Sequence, residues 1–323
     1  MKVLLVALHY HHYTDQIADE LRAQGHEVVL HDIQPRTLPM KALRVAAPAV
    51  WRSRLDRHHR RILDAERAGT YDVVVFIQVA QMARATMARF RDQFPTARFV
   101  LYNWDSVATI DYIGHADLFD HVMTFDPEDA VRYGYEYLPL FCVRTFQGLP
   151  RREQDRRGVY FVGNVVTLAR FDAFAAFRDY CACAGIRLQA YLACTPVVQA
   201  RLLRAGRSLA GLSRGSIAPR GFREMIETST AVFDFANHRQ AGYTMRVIEN
   251  LCAGKKIITS NARVLNETFY SPDRFHVFAG LDFTGIAEFL CVPLAAPDET
   301  FPAYHVQSFV QHLLGGRGHE LPT

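Results

Sequence analysis

The sequence of 323 residues lacks the features that mark several large classes of protein. No stretch approaches the ~18 uninterrupted apolar residues that a membrane-spanning helix needs, so any membrane contact is expected to be peripheral. The glycine patterns GxGxxG and GxxxxGK[ST] are absent, which argues against a standard dinucleotide oxidoreductase and against a P-loop enzyme. The six cysteines form no CxxC pair, as expected of free thiols in a reduced, cytosolic compartment.

Charged residues are few and unevenly distributed. The composition, 50% hydrophobic and 22% charged, is that of a folded protein with a large core. The segment from Arg36 to Arg67 contains nine basic and three acidic residues, which gives it a net charge of +6. A helix expected from about Val50 to Ala68 carries most of them and can lie on an anionic membrane surface, although a solvated helix face explains the pattern as well. No nucleic-acid partner is expected, because no recognition motif accompanies the basic segment.

Short apolar runs alternate with helical patterns along the whole chain. The expected strands cover residues 3–8, 27–33, 71–79, 97–104, 121–125 and 135–141, and then 158–163, 186–192, 230–236, 255–260 and 276–280. Such alternation predicts an α/β fold of two Rossmann-like, doubly wound domains that face a cleft. A Gly-, Pro- and charge-rich stretch at 142–157 is typical of a linker, so we expect domains at 1–150 and 151–300.

Ligands of such sheets bind beyond the carboxyl ends of the strands, and one stretch there stands out. In QAGYTMRVIENLCAGKKIITSN, at 240–261, Gly242 is expected immediately before a helix whose free N–H groups can bind a phosphate. Thr244 can cap that helix, and Arg246 can pair with a phosphate or diphosphate in a forked geometry. Glu249, one turn later, can accept hydrogen bonds from ribose hydroxyls. The alternative is a surface ion pair between Arg246 and Glu249.

Three further candidates follow other strands. Asp105 can deprotonate an attacking hydroxyl or stabilise positive charge at a sugar carbon, or it can simply cap the next helix. The loop HYHHYTD, which contains His11, is a second candidate for the base, and its histidine spacing is not that of a zinc site. Gly163 and Asn164 end the strand GVYFVG, where a glycine suits either a ligand phosphate or close packing.

Four stretches, LYNWDSV, FDPEDAVRYGYEYLPLF, YFVGN and QAGYTMRVIENLCAGKKIITSN, occur in this order over most of the chain. Together they resemble bacterial glycosyltransferases of the GT-B architecture from lipopolysaccharide and capsule gene clusters. The resemblance implies a nucleotide-sugar donor, no metal or other cofactor, and a C-terminal helix near 302–314 that returns toward the first domain within residues 301–323. It also implies a ribose contact at Glu249. The phosphate contacts that it implies are at Gly242, Tyr243, Thr244 and Arg246.

The sequence departs from the larger GT-B families at Ala241, eight residues before Glu249, where their doubled acidic EX7E pattern has a carboxylate. The stereochemical outcome therefore stays open. The expected function is sugar transfer to a hydroxyl of a lipopolysaccharide, O-antigen or capsule glycan, with a glycan or lipid-linked acceptor at the inner face of the cytoplasmic membrane. A nucleotide-sugar epimerase and a non-catalytic scaffold of a glycan assembly complex are the alternatives.

Overall fold

The computed structural model describes residues 1–10, 12–35, 37–147, 149, 157–213, 215, 217–236, 240–296 and 300–315. These residues form two six-stranded parallel sheets, each covered by helices. The predicted α/β architecture of two doubly wound domains is therefore confirmed. Within the same ranges, no helix combines the length and apolar character needed to cross a membrane.

The first sheet has the strand order β2-β1-β3-β4-β5-β6. Its central strands are continuous apolar runs, which is typical of parallel strands covered on both faces. The strands are β1 (Lys2–Ala7), β2 (Glu27–Asp32), β3 (Val73–Ile77), β4 (Arg98–Asn103), β5 (His121–Thr124) and β6 (Glu136–Tyr137). The helices are α1 (Tyr13–Ala23), α2 (Leu38–Ala46), α3 (Pro48–Ala65), α4 (Arg84–Gln93) and α5 (Pro127–Tyr133).

The second sheet has the order β12-β11-β10-β7-β8-β9, with all neighbouring strands parallel. Its strands are β7 (Gly158–Val165), β8 (Arg187–Cys194), β9 (Leu212–Ser213), β10 (Ala231–Asp234), β11 (Lys256–Thr259) and β12 (Phe275–Val277). The helices are α6 (Leu168–Cys183), α7 (Pro196–Arg204), α8 (Pro219–Thr228), α9 (Met245–Cys252), α10 (Ile286–Cys291) and α11 (Val306–Leu313).

The C-terminal helix α11 lies against the first domain. Its Phe309 packs on the rings of Tyr102 and Phe141, at centroid distances of 5.0 and 4.4 Å. Just before α11, Cys142 and His305 pair as a parallel β-bridge, in which the Val306 N–H donates to the Cys142 carbonyl at 2.9 Å. The end of the first domain and the segment that returns to it are thus hydrogen-bonded side by side at Cys142 and His305.

Two helix boundaries differ from the sequence expectation. The basic helix expected from about Val50 begins at Pro48 as α3 and is preceded by a separate helix, α2, because Ala47 leaves helical geometry at φ −145°. Helix α9 begins at Met245 rather than directly after Gly242. The reason is local, since the Thr244 hydroxyl accepts the Val247 N–H at 3.3 Å and so sets the first turn.

Candidate active site in the interdomain cleft

The carboxyl ends of the two sheets face each other and are joined by hydrogen bonds across the cleft. The Tyr13 hydroxyl, at the start of α1, donates to Oε1 of Glu249 at 2.9 Å. The Gln240 amide donates to Oδ1 of Asp105 at 3.0 Å. Asp105 follows β4 in the first domain, whereas Gln240 and Glu249 follow β10 in the second. Asp105 and Glu249, which were singled out from the sequence, therefore each contact a side chain of the opposite domain.

Arg246 is held in a fixed position by the end of the second sheet. Its Nη1 lies 2.7 Å from Oδ1 of Asp234, and its Nη2 donates to the Val162 carbonyl at 2.7 Å. The guanidinium stacks over the Phe161 ring at 4.9 Å from the centroid. The alternative of a surface pair between Arg246 and Glu249 is therefore wrong, because Arg246 uses Asp234 instead.

Asp234 accepts hydrogen bonds from several side chains on the second-domain side of the cleft. It is fully buried at the end of β10 and also accepts the hydroxyls of Thr244 and Thr259, at 3.0 and 3.1 Å. Three donors compensate its burial, as a buried carboxylate requires. The sequence reading missed Asp234, although its place directly after an apolar strand is the signal that identified Asp105.

Arg170 brings a second guanidinium to the same place. It lies in the first turn of α6, 6.0 Å from the centroid of the Phe161 ring on which Arg246 also stacks. Its Nε is buried without a hydrogen-bond partner among the described residues. Burial, and then the charge of Arg246, lower the pKa of Arg170 to about 10. Two neighbouring cations with a free donor are suited to an anion that carries more than one negative charge.

Gly163 and Asn164 lie beside this pair. A Cβ atom at Gly163 would stand 3.1 Å from Nη2 of Arg246, so the glycine leaves the space that the guanidinium occupies. Asn164 is exposed at the end of β7. Their contact with a phosphate stays a prediction, whereas the role of Gly163 in packing against Arg246 is visible.

Gly242 and Tyr243 face protein atoms. A Cβ at Gly242 would lie 2.5 Å from the Phe125 carbonyl oxygen, so this glycine permits close contact between the two domains. The neighbouring Ala241 N–H donates to Asp126 at 2.8 Å. The Tyr243 side chain is buried, and its hydroxyl donates to Glu267 at 2.5 Å. Phosphate contacts at these two positions stay predictions.

Glu249 is buried in the cleft wall. Burial raises the pKa of its carboxyl to about 8, against the opposing effects of the Tyr13 hydrogen bond and the Arg246 charge. The Tyr13 hydroxyl occupies the acceptor oxygen that the family resemblance assigns to a ribose hydroxyl. A ribose contact at Glu249 stays a prediction, and the Tyr13 hydroxyl would share the carboxylate with the ribose.

Each carboxylate oxygen of Asp105 accepts one hydrogen bond from a side-chain amide. Gln240 donates to Oδ1, and Gln78 donates to Oδ2. Burial raises the pKa of the Asp105 carboxyl, while the two amides lower it. Tyr10, in the loop after β1, is half-exposed and packs on Trp104 at 6.1 Å between centroids. His11, the other predicted base, lies outside the described residues.

Comparisons with known proteins agree in one respect, the fold. No family model and no curated relative matches the chain. Among solved structures, the apo form of the lipopolysaccharide outer core galactosyltransferase WaaB is 14% identical with a TM-score of 0.56, and 97% of this chain and 99% of that one are covered. The fold is GT-B.

Two other solved structures also match 97% of this chain. An α-glucosyltransferase in complex with UDP and a 13-mer DNA has a TM-score of 0.63 at 12% identity, covering 97% of this chain and 95% of that one. A Listeria monocytogenes protein assigned as a UDP-N-acetylglucosamine 2-epimerase has a TM-score of 0.53 at 11% identity, covering 97% and 94%. At these identities the likeness establishes the GT-B fold and leaves the chemistry to the residues of this chain.

Proposed function

We propose that the chain is a glycosyltransferase that moves a sugar from a nucleotide-sugar donor to a hydroxyl of a bacterial surface glycan, as in lipopolysaccharide, O-antigen or capsule. One observation carries the proposal. The paired guanidiniums of Arg170 and Arg246 lie at the carboxyl end of the second sheet, and they and Asp105 of the first domain are all close enough to Tyr10 to act on its pKa. The similarity to WaaB and to a UDP-bound α-glucosyltransferase supports it.

In this proposal the two arginines bind the donor phosphates. Negative charge grows on the phosphate oxygen as the bond to the sugar carbon breaks, and fixed cations stabilise that charge most strongly in the transition state. The N-terminus of α9 adds N–H groups beside them. We expect this cationic site to act without a metal or other cofactor. In the described residues, no group of three or more His, Cys, Asp or Glu could hold a metal ion.

Asp105 is the proposed base or charge-stabilising carboxylate. As a base, it takes the proton of the acceptor hydroxyl while the acceptor oxygen bonds to the sugar carbon and the nucleotide departs with the bonding electrons. As a charge stabiliser, it faces the positive charge that develops at the same carbon. His11 stays the second candidate for the base.

A nucleotide screen tests donor binding. We expect one nucleotide among CMP, UDP, GDP, dTDP and ADP to raise the unfolding temperature, because a ligand at ~100 times its dissociation constant adds about 2.7 kcal/mol of apparent stability. Arg246→Ala should abolish that shift. The absence of a shift with all five nucleotides, or an equal shift in Arg246→Ala, would contradict the proposed donor site.

Turnover assays separate the remaining functions. An epimerase is the second candidate because of the structural similarity to the Listeria protein. Conversion of a nucleotide sugar without any acceptor would favour that activity over transfer. Nucleotide binding without turnover, with or without glycan acceptors, would favour a non-catalytic scaffold.

The basic surface of α2 and α3 supports a peripheral contact with an anionic membrane. Arg44, Arg52 and Arg54 are exposed there, next to the exposed apolar side chains of Val45 and Val50. Such a combination of cations and apolar groups suits the interface of an anionic bilayer. This contact would hold the protein at the cytoplasmic leaflet, near lipid-linked acceptors.

Vesicle co-sedimentation tests the membrane contact. We expect binding to vesicles with phosphatidylserine and little binding to neutral vesicles. The double substitution Arg52→Glu and Arg54→Glu should abolish it, whereas Arg201→Glu with Arg204→Glu, on the exposed surface of α7 in the other domain, should not. Equal sedimentation with both kinds of vesicle would exclude this role for the basic surface.

A further inference from the structure

The carboxylate of Asp105 is held by side chains from both domains. Gln78, directly after β3, donates from its amide to Oδ2, and Gln240, from the other side of the cleft, donates to Oδ1 at 3.0 Å. Each carboxylate oxygen keeps a second lone pair for another donor. The arrangement fixes the plane of the carboxylate and leaves it able to accept a proton.

Gln78 occupies an uncommon backbone conformation. Its φ is +63°, in the left-handed region, and its side chain is buried. Its N–H donates to the Tyr102 carbonyl at 3.0 Å, which fixes the backbone at the end of the sheet. A glutamine in this region is strained, and such residues are concentrated at functional sites where the surroundings impose the conformation. Here the conformation brings the amide to Asp105.

The amides of Gln78 and Gln240 hold the Asp105 carboxylate from two sides, and we call this pair the clamp. Both of its groups are neutral. Among the described residues, the titratable side chains on which the charge of Asp105 acts are Tyr10, from the loop after β1, and Tyr102, from β4. A neighbouring cation would stabilise the carboxylate and weaken it as a base, whereas an amide orients the carboxylate with a smaller loss of basicity. Burial raises the pKa of Asp105, and the amides of Gln78 and Gln240 lower it.

We propose that Gln78 and Gln240 are positioning residues that build the general base of this chain from both domains. The inference rests on the proposed function, in which Asp105 receives the acceptor proton. Gln78 orients the carboxylate from within the first domain. Gln240 belongs to the second domain, so it can bond Asp105 only when the second domain lies against the first. Proton transfer from the acceptor is thereby confined to the closed cleft, where the donor is bound.

Two substitutions test the clamp. Gln78→Gly removes the amide and also relieves the left-handed backbone, so the unfolding temperature should be unchanged or higher while activity falls. Gln240→Ala removes the amide from the other domain. In both variants the acid limb of kcat/KM should move to higher pH by on the order of one unit, about a tenfold loss of activity on the acid side. Nucleotide affinity should be unchanged.

Gln147→Ala is the matched control, because the Gln147 amide bonds Gln307 at 3.0 Å away from the cleft. It should leave the acid limb unmoved. The proposal is overturned if Gln78→Gly and Gln240→Ala reduce activity at all pH values without moving that limb, since a merely structural role predicts that result.

A second measurement does not depend on turnover. The ¹³C signal of the Asp105 carboxyl, assigned by its absence in Asp105→Asn, can be titrated in each variant with and without bound nucleotide. A titration midpoint that rises in Gln78→Gly and Gln240→Ala, but not in Gln147→Ala, supports the clamp even if no acceptor is ever turned over. An unmoved midpoint contradicts the clamp while leaving the proposed transferase activity intact.

Discussion

Arg170 and Arg246 share one aromatic ring, and their proximity has an energetic consequence. Arg246 is neutralised by Asp234, whereas Nε of Arg170 is buried without a partner among the described residues. Burial and the second cation both disfavour the charged form of Arg170. An anion bound between the two guanidiniums would relieve both effects, so we expect ligand binding to remove an unfavourable interaction that the free protein carries.

We therefore expect Arg170→Ala to weaken nucleotide binding by about 10- to 100-fold, because a hydrogen bond to a charged group contributes about 1.5–3 kcal/mol. The unfolding temperature without ligand should stay the same or rise. Titration calorimetry with the nucleotide found in the screen measures the first effect. Arg178→Ala is the control, since Arg178 lies on the same helix, exposed and paired with Asp179 at 3.0 Å. Equal affinity in Arg170→Ala and wild type would remove Arg170 from the site.

Glu249 links stability to pH. Its pKa is raised to about 8 by burial, so the folded protein binds this proton more tightly than the unfolded chain does, whose glutamate has an ordinary pKa of about 4.5. The favourable contribution is complete below pH 4.5 and is lost as pH rises toward 8. Above that pH the ionised carboxylate is equally present in both states, and the contribution stays constant.

Glu249→Gln removes this titration. We expect its stability relative to wild type to increase steadily from pH 5 to pH 8 and to level off above. Urea unfolding at one-unit pH intervals measures the difference. Glu288→Gln, at an exposed position on α10, is the matched substitution away from the cleft. A difference for Glu249→Gln that stays constant between pH 5 and pH 8 would mean that the buried carboxyl does not titrate in this range.

One residue, Thr244, both caps the N-terminus of helix α9 and connects it to Asp234. The Thr244 hydroxyl accepts the Val247 N–H at 3.3 Å and donates to Asp234 at 3.0 Å. It therefore ties the first turn of the helix to the carboxylate that also holds Arg246. Loss of this residue affects both the helix and the position of the guanidinium.

Thr244→Ala should destabilise the protein by more than the ~1 kcal/mol typical of a lost N-cap. The reason is that the hydrogen bond from the Thr244 hydroxyl to the buried Asp234 carboxylate is lost too. Nucleotide affinity should also fall. Thr195→Ala provides the comparison, since Thr195 caps α7 by accepting the Val198 N–H at 3.4 Å, away from the cleft. Chemical denaturation of both variants decides the point, and equal losses would show that the Asp234 contact adds nothing.

The elements that the sequence predicted well are those with long apolar runs. β1, β3 and β4 are buried on both faces, so nearly every residue in them is apolar and the pattern is unambiguous. Helices α2 and α8 were not expected, and neither were two shorter segments, β9 with two residues and α10 with six. Segments this short carry too few residues for a periodic pattern, and tertiary contacts decide their conformation.

The site was predictable in part, for a related reason. Asp105 and Arg246 were singled out because ligands bind beyond strand ends, and in the structure both lie close enough to Tyr10 to act on its pKa. Gln78, Gln240 and Arg170 were missed because their partners lie far away in the chain or in the other domain. The Gln240 contact with Asp105 joins residues 135 positions apart, and no local pattern encodes such a contact.

Gly242 determines how closely the two domains approach. The carbonyl oxygen and ring of Phe125 lie where a Cβ at position 242 would be, at 2.5 and 2.6 Å. The adjacent Ala241 N–H bonds Asp126 of the first domain at 2.8 Å. Any larger residue at 242 must therefore push the domains apart or distort this loop.

We expect Gly242→Ala to cost roughly 1–3 kcal/mol of stability, as overpacking of a close contact does, and to increase the radius of gyration. Small-angle scattering and thermal unfolding measure the two effects. Gly114→Ala is the control, because a Cβ at Gly114 would have no neighbour within 4 Å. An unchanged scattering curve together with an unchanged unfolding temperature would show that the contact yields without cost.

The paired passages of the chain between the domains also restrict motion. At Cys142 and His305 the outgoing and returning segments are hydrogen-bonded side by side, with Cys142 N–H donating to the Tyr304 carbonyl at 2.7 Å. Two hydrogen-bonded segments are harder to shear past each other than two independent ones. We therefore expect any relative movement of the domains to be a rotation about this pair of segments, which a pair of distance probes across the cleft can follow.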